Sequence, residues 1–381
     1  MLMSRFLKPS RERQFKIMKE ILISGYYGFH NSGDDALLSC IINDIERIYG
    51  DRRKIVVLSA SPEETTRLYG VRAIDRMNIF SVISHMGSSE LLISGGGTLI
   101  QDGTSTQSLL YYLGVIAMAK FFGLKVMLYA NGIGPLIRKS NKRITRKVLN
   151  KADVITLRDK RSLETLSEIG VSGNIHVTAD PVFGLYDINP GKGMEILKHY
   201  RVPEDCEYMA ISVRNDKNIT DERLMDIAAA ADECAEKYNI FPVIIPMQRV
   251  RDESISQKLK KYIRHESVVI PPDIEVYELL SVISNMKFCI GMRLHTLIYA
   301  AVASVPVIGI VYDPKVSGFM EYSNQDLYLD TGELTKEKLT DMIDSILINY
   351  RERKAMLTRT AAEMRKNSEK NAQLLRQLME A

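Results

Sequence analysis

What the 381-residue chain lacks narrows it first. Its four cysteines, Cys40, Cys206, Cys234 and Cys289, show no CxxC or other metal-ligand spacing. That excludes a disulfide scaffold and a thiolate metal site, and predicts reduced residues in the core of a cytoplasmic protein. No apolar run reaches the roughly 20 residues that a spanning helix needs. The uncharged stretch Thr296 to Tyr312 contains Pro306, which splits it into a short helix and a strand-length run, Val307 to Val311. The apolar stretch after Ser108 meets Lys120 and Lys125. The first residues are basic but lack the apolar core of a secretory signal. Met18 is an alternative start, so residues 1–17 are expected to be a flexible basic tail. Net charge is only +4, and outside the chain ends no long block concentrates the excess. A nucleic-acid groove would need a basic stripe with interleaved aromatics, so no nucleic-acid partner is expected. A small anionic ligand or an anionic membrane surface suits the charge better, with the basic N-terminal tail or the cationic C-terminal helix as routes to peripheral membrane contact.

What is present is regular. With 45% hydrophobic and 26% charged residues, the chain is long for one core and sufficient for two. Strand-like runs at Ile21 to Ser24, Ile55 to Leu58, Leu91 to Ser94, Val126 to Tyr129, Val154 to Leu157 and Ile175 to Thr178 alternate with helical segments such as Asp35 to Ile48, Gln107 to Phe121 and Lys142 to Lys151. Alternation of this kind builds a parallel sheet covered on both faces. Pro and Gly cluster at residues 180–193, which read as a linker. The pattern then resumes at Met209 to Val213, Phe241 to Ile245, Val268 to Ile270, Phe288 to Ile290 and Val307 to Ile310. The fold class predicted is α/β: two Rossmann-like domains, residues 18–187 and 188–334, facing a cleft in a GT-B-like arrangement, with C-terminal helices over 335–381.

Ligands of such sheets bind beyond the carboxyl ends of the strands, so the post-strand loops carry the candidates. "SGYYGFHNSGDDALL" places Gly25, Gly28 and Gly33 between a strand and a helix, where close backbone approach and free N–H groups favour a ligand. Asn31 and Asp34 in this loop are candidates for contacting a sugar hydroxyl; for Asp34 and Asp35, helix capping is the plainer alternative. "ISGGGTLIQDGTS" follows with Gly95, Gly96, Gly97, Thr98 and Asp102. Three successive glycines are costly in conformational entropy, so this loop reads as one that lets a substrate or the opposite domain come close at Gly96, Gly97 and Thr98, while Asp102 can accept sugar hydroxyls or cap a turn. "YANGIGPL" is a third glycine-rich strand end. Arg158 stands just beyond a strand in "LRDKRSLETL", with Asp159 or Ser162 able to start the next helix and Arg161 read as solvated. Asp180, before a proline in "TADPVF", reads as a cap.

The segment "CIGMRLHTLIYAAVASVPVIGIVYDPK" sets Arg293, His295 and Lys315 at the edges of an almost uncharged stretch. An arginine fork at a helix N-terminus suits a phosphate or carboxylate. Successive strand ends commonly share one rim, so these residues predict a cationic pocket for a small anion. Nothing in the sequence calls for a metal or a cofactor.

Taken in order, "SGYYGFHNSGDDALL", "ISGGGTLIQDGTS", "LRDKRSLETL", "TADPVF" and "GMRLHTLIYA" resemble the polysaccharide pyruvyl transferase family, specifically its bacterial CsaB-type members, over about Ile21 to Lys315. The resemblance implies transfer of a pyruvyl group from phosphoenolpyruvate, a substrate, to a sugar diol. For the CsaB type the acceptor is N-acetylmannosamine of a lipid-linked secondary cell wall polymer precursor, and the product a 4,6-ketal bound by S-layer homology domains. It further implies that residues 18–187 form the acceptor side, with Asn31, Asp34, Gly96, Gly97, Thr98 and Asp102 binding the acceptor, that residues 188–334 form the donor side, that Arg158, Arg293 and Lys315 hold the donor, and that Arg293 and His295 are catalytic. Asp35 stands where glutamate is expected, and Gln107 where a basic residue is common. A GT-B glycosyltransferase with a nucleotide-sugar donor is the main alternative, and a non-catalytic cell-wall carbohydrate-binding protein the second.

Overall fold

The structure is a computed structural model, and it describes residues 19–185 and 188–381. The expected tail at 1–17 lies outside the described residues. The first sheet contains β1 (Glu20–Ser24), β2 (Ile55–Ser59), β3 (Arg72–Asp75), β4 (Ser89–Ser94), β5 (Gly97–Ile100), β6 (Lys125–Ile133), β7 (Val154–Leu157) and β8 (Ile175–Val177). Its order is β3-β2-β1-β4-β6-β7-β8, with β5 paired to β6, and every pair is parallel. The second sheet contains β9 (Glu207–Ser212), β10 (Ile240–Ile244), β11 (Val268–Val269), β12 (Phe288–Gly291), β13 (Val307–Val311) and β14 (Tyr328–Asp330), in the order β11-β10-β9-β12-β13-β14, also parallel throughout. Both sheets reverse direction of travel between two central strands, β1/β4 and β9/β12. Such switch points open a crevice at the strand ends.

Alternate residues of each strand feed opposite faces. In the first sheet Leu22, Val56, Leu92 and Val126 face one helical layer, whereas Ile21, Ile55, Leu91 and Met127 face the other. The strands are apolar on both sides because both faces are covered. The helix Ser32–Tyr49 presents Leu38, Ile41 and Ile45 to the first sheet, while Ala36, Leu37 and Cys40 join the core of the second domain. One helix thus seals the two domains together along one side.

Residues 186 and 187 of the stretch read as a linker lie outside the described residues, and those on either side have regular structure. Asp180 caps a short turn, Pro181–Gly184, and Asn189 caps the helix Pro190–His199. The C-terminal segment is two helices, Lys336–Ile348 and Tyr350–Glu380. The second returns to the first domain, where Leu375 enters the core and Asn371 donates to the Ala179 carbonyl at 3.1 Å. No helix among the described residues is long and apolar enough to cross a membrane.

Candidate functional site

Between the two switch points lies a cavity of about 400 Å³. From the first domain it is lined by Asn31, Asp34, Gly97, Thr98 and Arg158; from the second by Arg214, Arg251, Arg293, His295 and Lys315. A smaller cavity of about 290 Å³ adjoins it, sharing Thr98, Arg158 and Lys315. Arg293 and His295 owe their position to β12, after which the chain turns directly into the helix Leu294–Val302. Lys315 follows β13 in the same way, and Arg158 follows β7.

The cations differ in how their charge is compensated. Arg293 makes a two-pronged pair with the fully buried Asp252: its Nε donates to Oδ2 at 2.8 Å and its Nη2 to Oδ1. Gln248 Oε1 accepts a further bond from Nη2 at 3.2 Å. Arg158 is 4% exposed, donates to Thr98 Oγ1 at 2.9 Å, and lies 3.5 Å from both Asp159 and Asp180. Lys315 lies 3.7 Å from Asp313. By contrast, Arg214 and Arg251 have no ion pair among the described residues. Arg214 stacks on Tyr312 with its guanidinium carbon 4.2 Å from the ring centroid, and its Nε is buried without a hydrogen-bond partner. The cleft therefore carries surplus positive charge.

His295 is a second-domain residue embedded in the first. Its Nε2 stands 3.7 Å from Asp180 Oδ2, and neither atom has a hydrogen-bond partner among the described residues. Its ring lies so close to Gly33, in the first turn of the helix Ser32–Tyr49, that a Cβ there would collide with it. Burial lowers the His295 pKa to about 4; Asp180 opposes the fall, and Arg158, Lys315 and Arg293 deepen it. The resting imidazole is neutral at physiological pH.

Asp34 is tuned the other way. Its carboxyl is pushed up to about 8, by burial and then by Asp35, against the pull of Lys315, Arg158 and Arg293. Asn31, the cap of its helix, donates to Asp34 Oδ2 at 2.5 Å and accepts from Gly33 N–H. Gly97 has φ +88°, and a Cβ on it would come within 3.0 Å of Asp34 Oδ1, so this loop position favours glycine twice over. A neutral base and a protonated acid thus share one cleft, the pattern by which two titratable groups divide proton-transfer roles.

Two expected acceptor residues are placed otherwise. Asp102 receives the N–H groups of Ile137 and Arg138 at 2.6 and 3.1 Å and Asn141 Nδ2 at 2.8 Å, so its carboxylate braces the loop after β6 and leaves no free face for a sugar. Gly96 packs under Leu37, whose Cδ2 would stand 2.8 Å from a Cβ there, and does not line the cavity. Asp35 faces a different interdomain cavity with Tyr69 and Glu64. Arg161, read as solvated, is exposed, and from the surface it also binds both oxygens of Glu321 at 2.7 and 2.6 Å and the Pro314 carbonyl at 3.0 Å, linking the domains.

Sequence reasoning missed Asp252, Gln248, Arg214 and Arg251, and read Asp180 only as a cap. Asp180 does cap, accepting from Val182 N–H at 3.1 Å, yet it also stands against Arg158 and His295. Residues 30–32 and 247–249 form a backbone bridge across the cleft, with Ser32 N–H donating to Met247 O at 2.9 Å and Arg249 N–H to His30 O at 3.2 Å. No group of three or more His, Cys, Asp or Glu among the described residues is placed to hold a metal ion.

The family model described as polysaccharide pyruvyl transferase matches residues 31–314. No curated protein sequence matches the chain. Among solved structures, MnaA of S. aureus in a UDP co-structure has 12% identity and a TM-score of 0.65, covering 92% of this chain and 94% of that one. Alr3699/HepE of Anabaena in complex with UDP-glucose has 14% identity and a TM-score of 0.64, covering 95% and 98%. The UDP-GlcNAc 2-epimerase of Methanocaldococcus jannaschii has 14% identity and a TM-score of 0.66, covering 95% and 99%. At these identities the likeness shows a common GT-B-like fold.

Proposed function

The chain belongs to the polysaccharide pyruvyl transferase family and is a pyruvyltransferase, and from that premise we propose that it moves the pyruvyl group of phosphoenolpyruvate to a saccharide diol, forming a ketal and releasing phosphate. The observation that carries this reading is the cationic cleft, in which Arg158 from one domain faces Arg293, Lys315, Arg214 and Arg251 from the other around His295. A donor bearing both a phosphate and a carboxylate needs several fixed cations, and arginine offers two-pronged donors to each.

Ketal formation first requires a proton at C3 of the enol, which leaves C2 electron-poor. One acceptor hydroxyl adds to C2 and gives up its proton, the C2–O bond to phosphate breaks, and the second hydroxyl adds with loss of its proton. Of the two hydroxyl protons released, one balances that placed on C3 and one leaves on phosphate. Neutral His295 suits removal of the hydroxyl protons, and protonated Asp34 suits delivery to C3. Arg293 and Lys315 hold the donor anions, and Arg158 closes over them. Asp252 and Asp180 are positioning residues that fix the Arg293 guanidinium and the His295 and Arg158 side chains.

The preferred acceptor is N-acetylmannosamine of a lipid-linked secondary cell wall polymer precursor, with ketal formation across O4 and O6 on the cytoplasmic side. Incubation with phosphoenolpyruvate and a panel of lipid-linked disaccharides tests this. Acceptor-dependent phosphate release and a product heavier by one pyruvyl ketal are expected. Release of a nucleoside diphosphate from a nucleotide sugar, with phosphoenolpyruvate left intact, would instead establish a glycosyltransferase, and saccharide binding without consumption of either donor a carbohydrate-binding protein.

A further inference from the structure

We infer that the outer face of the first domain docks on an anionic lipid surface. Three helices, Ile79–Ser88, Thr106–Phe121 and Lys139–Leu149, lie on the same side of the first sheet, where Val82, Met86, Leu113 and Leu149 share one core with Leu92 and Val126. They are neighbours: Tyr111 OH donates to the Arg76 carbonyl at 3.2 Å, and Asn141 Nδ2 to Thr106 Oγ1 at 3.1 Å.

Their outward surface is unusual for a face in water. Phe80 is 83% exposed, Phe121 85% and Met77 73%, and Ile79 and Leu110 are exposed as well. The outer stripe of the helix Thr106–Phe121 runs Leu110, Gly114, Ala117 and Phe121 without a charge, and Lys120 is the only charged residue in that helix. A helix apolar all round is normally covered on every side.

The third helix supplies the complement. Residues 137–151 contain seven lysines and arginines and no Asp or Glu, and none of these cations is ion-paired among the described residues. This corrects the expectation that basic excess gathers only at the chain ends. Ile137 and Ile144 are exposed among them. Exposed aromatic and aliphatic side chains flanked by unpaired cations match the headgroup boundary of an anionic bilayer, where each nearby Lys or Arg contributes. A second copy of this chain is a poor occupant, since a symmetric interface would set cations against cations. The helix Thr106–Phe121 also links this face to the cleft, because Ser105 and Ser108 at its start line the main cavity. A membrane-borne acceptor would then reach the cleft from the docked side, the one point that rests on the proposed function.

The test is flotation of the full chain with vesicles of phosphatidylcholine alone or mixed with phosphatidylglycerol. Wild type should bind only the mixed vesicles and dissociate as salt is raised. Lys142→Glu with Lys147→Glu, and separately Phe80→Ser with Phe121→Ser, should each lower partitioning about 10-fold or more. Both variants should match wild type in thermal melting and in phosphate release with a water-soluble acceptor, a readout that fails only if the enzymatic reading fails. Equal binding to both vesicle types, or variants that partition as wild type does, would overturn the inference. So would conversion of an oligomer to a monomer by the phenylalanine variant, which would assign the face to another copy.

Discussion

The two halves of the cleft come from parallel sheets that share their strand order around the switch point, β3-β2-β1-β4 in one and β11-β10-β9-β12 in the other, and contribute opposite chemistry. The first domain brings short, polar and flexible-backbone elements to the crevice: Asn31, Asp34, Gly97 and Thr98, with Arg158 as its one cation. The second brings Arg214, Arg251, Arg293, His295 and Lys315. A shared switch point therefore says where a ligand sits and nothing about its charge. The charge is set by which side chains stand in the residues after β9, β10, β12 and β13, and by which of them have a carboxylate behind them.

Breaking the second half should have the largest effect. His295→Ala should reduce turnover by about 10²–10⁴-fold while thermal melting shows an intact fold; near-normal ketal formation would remove the imidazole from the reaction. In the first half, Asp34→Asn should lower turnover by about 10²-fold and alter two pH profiles. Its folded carboxyl titrates near 8 rather than in the usual acid range, so the native state keeps a proton that the unfolded chain has lost. The contribution of Asp34 to stability should accordingly fall between about pH 4 and 8, so that the difference between wild type and variant shrinks over that range, and the alkaline limb of kcat/KM should lie near pH 8. The asparagine variant should lose both, and thermal melts offset from wild type by the same amount at pH 5 and 8.5 would contradict the assignment.

The supporting carboxylate should matter nearly as much as the cation it orients. Asp252→Ala leaves the half-buried Arg293 uncompensated, and should cost about 3 kcal/mol of stability in denaturant titrations together with a raised donor KM. A smaller effect is expected at the uncompensated edge: Arg251→Ala should raise the donor KM about 10-fold with little change in stability, as the loss of one charge-assisted contact would. A stability loss there as large as that of Asp252→Ala would show that Arg251 is part of the scaffold.

Much of this architecture can be read along the chain, and the misses have a common cause. Strands with unbroken β-branched or apolar runs, such as Val154–Leu157, declare themselves because both faces are buried. β3, reading Arg-Ala-Ile-Asp, and β14, Tyr-Leu-Asp, are short edge strands with polar ends and no such run. β5 is hidden inside the triple-glycine motif, where Gly97 to Ile100 pairs with β6 beyond the main sheet. At the site, Arg158, Arg293, His295 and Lys315 are legible because each follows a strand directly and the cleft gathers strand ends. Asp252 and Gln248 are not, because they reach Arg293 from another βα unit, 41 and 45 positions away, and no local pattern encodes that meeting. Asp180 carries a local reason for being where it is, capping Pro181–Gly184, which masks its contacts with Arg158 and His295. Asp102 fails as an acceptor contact for the opposite reason: the backbone N–H groups that occupy it belong to a loop folded back from residues 137–138.

Calorimetric titration of phosphoenolpyruvate into wild type, Arg293→Ala and His295→Asn examines the cationic cleft without requiring the natural acceptor. One-to-one binding is predicted for wild type, about 10-fold weaker binding for Arg293→Ala, and affinity close to wild type for His295→Asn, which should bind without turning over. Failure of wild type to bind the donor, or equal affinity in Arg293→Ala, would contradict the placement of a phosphoenolpyruvate site between the two sheets.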